Sequence, residues 1–205
     1  PIFVAVMAIF FLGEAFTAQA TWSSAIQSYK KYLETNPGVI DSYVWERIAH
    51  AHTQYGEYSK AAEAYQLAIS TDRSGNPNFL LLDKAHALRL SGDLTGALTL
   101  YDHVNNNTNY NTTHARMDYL RGYTLLQLAD TDQAHQYFQN AVNNYPEAYY
   151  AYLSLVELVK SQITVDEFQR GLIDYHAAQY EPAIEAFQRY LITQPSHDAQ
   201  VHYYI

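Results

Sequence analysis

Glu46 and His50 stand four residues apart, one turn along a helix, and His86 follows thirty-six residues after His50. A carboxylate and imidazoles at such a spacing can ligate a metal ion. A closed zinc shell needs four ligands, however. His52 points to another side of the helix from His50, and the other members of the nine histidines are scattered. No metal or other cofactor is assigned. Nucleophile triads, glycine-rich phosphate loops and paired-carboxylate clefts are not found either. Glu34, Asp41 and Glu147 fall near helix ends, where carboxylates serve caps and solvation. The same residue types suit recognition better than catalysis. Glu46, His50 and Gln54 form one helical stripe, His86 and Arg89 a second, and Tyr119, Tyr123 and Gln127 a third. Tyr175 and His176 extend the series if the register holds. Aromatic rings among imidazole, amide and guanidinium groups can anchor a protein segment.

Stripes on separate helices act together only if something repeats the helices at a fixed offset. A frame of alanines does so: Ala25, Ala61, Ala97, Ala134 and Ala183, at intervals of 36, 36, 37 and 49. Four residues after each comes an aromatic: Tyr29, Tyr65, Tyr101, Phe138 and Phe187. Five before each comes Ala20, Gly56, Gly92, Ala129 or Ala178, and twelve before each Gly13, Ala49, Ala85, Gly122 or Gly171. Recurrence at this period is the mark of a stacked helical repeat, whose units bury their apolar faces against neighbours. The small positions are expected where paired helices approach most closely, and the aromatic is expected to fill the gap between units.

The spacing predicts about eleven helices in an all-α, right-handed α-solenoid of antiparallel pairs. Residues 1–146 read as four pairs and 147–195 as a three-helix segment containing a fifth pair. Residues 196–205 read as the start of a further repeat. Pro and Gly at Asn36-Pro37-Gly38 stop a helix, as Tyr145-Pro146 does later. The Asn-rich stretch 105–113 reads as the longest exposed loop. Three helices are read in residues 147–195, Glu147–Ser161, Val165–Ala178 and Glu181–Thr193, one more than a pair, with Thr164 the candidate N-cap of the second.

Composition narrows the function. Hydrophobic residues make up 48% of the 205, enough for a helical core. The formal net charge of -9 and the scarcity of adjacent basic residues, Lys30-Lys31 apart, exclude nucleic acid as the expected partner. The absence of cysteine excludes disulfides. The apolar run from Ile2 to Gly13 is too short for a membrane span. Ala18-Gln19-Ala20 has the form of a signal-peptidase site, so residues 1–20 have two readings, leader remnant or repeat helix. The missing basic flank and the in-frame Gly13, Phe16 and Ala20 favour the helix. A start at Pro1 and a stop within an apparent helix opening suggest a segment of a longer, bacterial protein. Uncapped ends of such an array are expected to self-associate.

The segments AIFFLGEAFTAQATWSSAIQSYKKYLETNP, VWERIAHAHTQYGEYSKAAEAYQLAI and RGLIDYHAAQYEPAIEAFQRYL resemble the tetratricopeptide repeat over nearly the whole chain. The period departs from the family's usual 34, and Asp118, Glu167 and Asp174 stand where the family carries apolar residues. The resemblance implies a scaffold whose first helices line a concave face. On it Glu46, His50, Gln54, His86, Arg89, Tyr119, Tyr123 and Gln127 would meet a protein or peptide partner. The carboxylate clamp of the chaperone-tail type, built from Lys and Asn, is replaced by Glu14, Glu46, His50 and His86, which argues against that ligand. YLETNPGVIDSYVWERIAHAH and FQRGLIDYHAAQYEPAIEAFQRYLITQPSHDAQVHYYI also look like the helical, non-catalytic region of bacterial lytic murein transglycosylases. That family's Glu-Ser and Gly-Leu-Met-Gln signature is missing. Under this alternative the enzyme's active site lies beyond Ile205, peptidoglycan becomes the partner, and the setting is extracytoplasmic, in the periplasm or cell envelope. The chain as given is expected not to be an enzyme.

Overall fold

The computed structural model describes residues 2–35, 37, 38, 40–71 and 77–204. Among them are twelve α-helices, one 3-10 turn and no strand. In chain order they are α1 (Ile2–Ala18), α2 (Trp22–Thr35), α3 (Asp41–Tyr55), α4 (Tyr58–Ser70), α5 (Asn78–Ser91) and α6 (Leu94–Asn106). There follow α7 (Asn111–Gln127), α8 (Thr131–Asn144), α9 (Tyr149–Lys160), α10 (Glu167–His176), α11 (Tyr180–Thr193) and the short α12 (Asp198–His202). The chain forms two compact units, residues 1–100 and 101–205. Asn36, one of the expected helix-stop residues, lies outside the described residues.

The repeat frame has a direct physical cause in each unit. Ala25, Ala61, Ala97 and Ala134 are fully buried, and Ala183 nearly so. The aromatic four residues later packs on the first helix of its own pair at Tyr29, Phe138 and Phe187, and Phe187 also stacks on Tyr204 beyond its pair, as the spacing suggested. A Cβ added to Gly13 would stand 2.5 Å from the Tyr29 ring, and one on Gly122 would stand 2.5 Å from Phe138. Gly171 meets Phe187 in the same way. The ring lies flat against a backbone that carries no side chain, so the helices close on each other.

The residue five before each alanine does a different job from the one expected. Ala20, Ala129 and Ala178 have φ of 54°, 59° and 58°, and Gly56 and Gly92 have 82° and 93°. All five are exposed. They make the left-handed turn that ends the first helix of a pair, and smallness serves backbone conformation there instead of packing. Gln162, with φ of 59°, makes the same kind of turn after α9.

In unit 1 the core runs through α1 to α5, with Tyr29, Tyr32, Val44, Ile48, Ala61 and Leu80 among its buried members. Unit 2 buries charge. Asp118 and Arg121, on α7, are 3% and 5% exposed and lie 3.2 Å apart. Arg121 also reaches Asp102 at 2.7 Å and lies over the Tyr137 ring, while Asn140 donates to Asp118. Burial pushes the Asp118 carboxyl up, and the bonds from Asn140 and Arg121 pull against it. Asp174 on α10 is also buried, with Arg170 at 3.7 Å.

Two local expectations fail. The Asn-rich stretch is mostly helical, because α6 runs to Asn106 and α7 starts at Asn111, leaving only residues 107–110 between them. Asn107 donates to the His103 carbonyl and Asn105 bonds His114 at 2.8 Å, so the amides finish helix ends instead of breaking them. The N-cap of α10 is Asp166, not Thr164: its carboxylate accepts from the Gln169 backbone N–H at 2.9 Å. An Asp two residues on is the better cap because its charge also meets the helix dipole.

Candidate partner-binding faces

His50, His86 and Tyr123 each stand eleven residues before a frame alanine, and all three are exposed. Glu46 and Tyr119 share the position fifteen before, and both are half-buried. Gln54 and Gln127, seven before, are exposed. The repeat therefore places the sequence-derived residues at equivalent sites on α3, α5 and α7, except Arg89, which stands eight before Ala97 and is half-buried.

In unit 1, the His50 ring meets Trp22 edge to face at 6.3 Å, and His86 lies 3.4 Å from an Arg89 guanidinium nitrogen. His52 faces the other way. It is buried, bonds Glu57 at 2.7 Å, and burial lowers its pKa against the pull of Glu57. Glu46 lines a cavity of about 480 Å3 with Phe10, Ile40, Tyr43 and Arg47. Arg47 pairs with Glu14 at 3.1 Å, and Glu14 accepts from the Tyr29 hydroxyl at 2.7 Å. Glu14 is thus tied to protein groups at the position where a carboxylate clamp would need a cation. Among the described residues no group of three or more His, Asp and Glu side chains is placed to hold a metal ion, and Glu46, His50 and His86 do not form one.

In unit 2, Tyr119 and Tyr123 stand with ring centroids 6.1 Å apart. Tyr119 packs on Phe138 at 6.0 Å and on Tyr150 at 5.7 Å, so it is part core and part face. Burial and the nearby Glu157 raise its pKa. Residue-by-residue reading missed the continuation onto α9. Tyr149 is 64% exposed, touches Tyr150 and Tyr152, and extends the tyrosine surface that Tyr123 begins. Arg116 stands over the Tyr150 ring at 5.7 Å. The run Tyr149-Tyr150-Ala151-Tyr152 was visible as a signal, but α9 lies outside the alanine frame, so no face could be given to it. Tyr175 and His176 meet each other, and Tyr175 turns to Tyr180 and Tyr204. No contact joins them to Tyr119 or Tyr123 among the described ring pairs.

Family profiles described as tetratricopeptide repeat match residues 42–74 and 119–159, one in each unit. The chain carries tetratricopeptide repeats (TPRs). No curated protein sequence matches it. Among solved structures, a TPR protein from Parabacteroides merdae is 16% identical at TM-score 0.59, over 97% of this chain and 73% of that one. MamA from Desulfovibrio magneticus is 15% identical at 0.56, over 94% and 97%. YrrB, a TPR protein with an unusual peptide-binding site, is 15% identical at 0.52, over 95% and 89%. At these identities the likeness is one of fold. The TPR assignment accounts for the segments that also look like the transglycosylase helical region, and that second resemblance is not needed. The TPR array is a non-catalytic, protein-interaction scaffold. Among the described residues no helix is long and apolar enough to cross a membrane.

Proposed function

We infer that this TPR protein binds an extended segment of a partner protein, with the tyrosine surface of α7 and α9 in unit 2 as the anchor. The supporting observation is the pairing of exposed rings with half-buried ones. Tyr123 and Tyr149 are 38% and 64% exposed, yet their supports, Tyr119 and Tyr150, pack into the fold. Rigid aromatic side chains of this kind offer contact area at small entropic cost, and exposed clusters of them mark interaction sites. In unit 1 the positions equivalent to Tyr123 carry His50 and His86.

The test is a selection of displayed random peptides on the whole chain, followed by affinity measurements on the double variant Tyr123→Ala with Tyr149→Ala. Both rings point outward, so the melting temperature should hold while affinity falls by about 2 kcal/mol or more per anchoring ring. Unchanged affinity, or a loss of stability in place of affinity, refutes the reading. Competition by soluble glycan strands with no peptide selected would assign the tyrosines to carbohydrate stacking instead.

A further inference from the structure

The tyrosines of α7 and α9 form one unbroken series of rings. Tyr123 meets Tyr119 with centroids 6.1 Å apart, and Tyr119 meets Tyr150 at 5.7 Å. Tyr150 meets Tyr149 at 5.9 Å, and Tyr149 meets Tyr152 at 6.4 Å. The result is a ribbon of aromatic faces and edges, half-sunk in the fold at Tyr119 and Tyr150 and open at Tyr123 and Tyr149. Among the described residues no hydrogen bond engages the hydroxyls of Tyr119, Tyr149, Tyr150 or Tyr152, and none of the four is sealed from solvent. The charges beside the ribbon are already engaged. Lys160 Nζ donates to Glu157 at 2.8 Å, and the exposed ammonium keeps two further N–H donors. Its pKa is raised first by that bond and then, among weaker causes, by the phenols of Tyr119 and Tyr123, which puts it within electrostatic reach of those rings. Arg116 lies over the Tyr150 ring at 5.7 Å.

These properties discriminate among ligand chemistries. An acidic segment gains little from an exposed ammonium that Glu157 already neutralises. A basic segment meets Lys160 and Arg116. An amphipathic helix calls for an aliphatic groove, and this surface consists of rings and hydroxyls. A proline-rich segment matches it on both counts. Proline has a carbonyl and no N–H, and the polyproline II backbone uses none of its carbonyls internally, so the segment brings acceptors to a surface that supplies donors. Its rings pack on aromatic side chains, and it is ordered before it binds. Polyproline II advances about 3.1 Å per residue, so each ring-to-ring step of the ribbon corresponds to about two residues. We propose that the tyrosine ribbon of α7 and α9 holds a proline-rich segment of the partner protein in the polyproline II conformation, packed on Tyr123 and Tyr149, with its carbonyls accepting from phenol hydroxyls and Lys160. The assignment rests on the partner-binding role inferred above and adds the chemistry of the bound segment.

The probe is a fluorescein-labelled oligoproline of about ten residues, titrated with the whole chain and read by anisotropy. Saturable binding is expected, about tenfold or more tighter than that of a Gly-Ser peptide of equal length, because the oligoproline has less freedom to lose. Tyr149→Ala should weaken it about thirtyfold or more. Tyr149→Phe keeps the ring and removes one donor, and should weaken it about fivefold. Tyr149 is exposed, so both variants should keep the melting temperature of the parent. Suppose oligoproline fails to bind while displayed peptides without proline bind and lose affinity in the Tyr123→Ala, Tyr149→Ala double variant. That result overturns the proline-rich assignment and leaves the partner-binding reading standing. Failure of both kinds of peptide overturns the two together. Oligoproline binding that the double variant leaves unchanged overturns the assignment as well, since the probe would then sit elsewhere on the chain.

Discussion

The left-handed turns inside the pairs separate backbone cost from packing cost, and they do so at one repeat position filled by two residue types. Ala20, Ala129 and Ala178 sit at φ near +57°, where an L-residue carries about 1–2 kcal/mol of steric cost. Glycine removes that cost but adds about 0.4–1 kcal/mol of unfolded-chain entropy. Each Ala→Gly change should therefore stabilise by about 0.5–1 kcal/mol, taken around the difference between the middles of those two ranges. The reverse changes provide the control. A Cβ on Gly56 or Gly92 would meet nothing within 4 Å, so Gly56→Ala and Gly92→Ala have no packing penalty and should destabilise by the same about 0.5–1 kcal/mol. The turns share no partner, so Ala129→Gly with Ala178→Gly should be close to additive within unit 2. Denaturant unfolding followed by far-UV circular dichroism is the assay, with the midpoint read at constant slope. Repeat arrays can unfold in parts, so each variant is compared within its own unit. A destabilising Ala129→Gly, or a neutral Gly56→Ala, would refute the account of the turn.

Gly122→Ala tests packing in place of backbone: its Cβ would drive into the Phe138 ring, and about 1–3 kcal/mol should be lost, partly recovered with Phe138→Leu, by thermal melting. Asp174 is held above its ordinary carboxylate pKa by burial, with Arg170 and Arg189 pulling it down. The native state therefore binds this proton more tightly than the unfolded chain, and the group's contribution to stability grows as pH falls through its raised folded pKa toward 3.8. Asp174→Asn should stabilise at pH 7 and remove that acid-side gain, measured as unfolding midpoints from pH 7 to pH 4.

The alanine frame made the helix pairs readable, because a glycine or alanine facing an aromatic leaves a fixed pattern of small and ring residues. What the pattern could not reveal was which small residues pack and which turn the chain. Gly13 and Gly56 look alike in a list of small residues, yet one accommodates Tyr29 and the other adopts a positive φ. The Asn-rich stretch misled for a related reason. Asparagine favours caps and turns, and the amides of Asn105 and Asn107 serve helix ends that run further than their composition suggests. His50, His86 and Tyr123 were legible because they share a frame position. Tyr149 was not, since α9 has no frame alanine to phase it, and its exposure depends on how it lies against α7.

The aromatic locks are not chemically equivalent, which limits how freely the repeats could be shuffled. Tyr29 is fully buried, and its hydroxyl meets Thr17 at 3.0 Å and donates to Glu14, which pairs with Arg47 on the next first helix. Thr53 stands at the same frame position beside Tyr65, and both tyrosines have their pKa pushed up to about 12. Where the lock is Phe138 or Phe187, that position holds Leu126 or Tyr175 instead. A duplicated or transplanted first or second pair must therefore carry its threonine with its tyrosine, or leave a hydroxyl stranded in the core, whereas the pair of Tyr101 holds Arg89 at that position. The polar handle also ties the first pair to the second through an ion pair that salt can weaken, whereas the phenylalanine locks have no such link to lose.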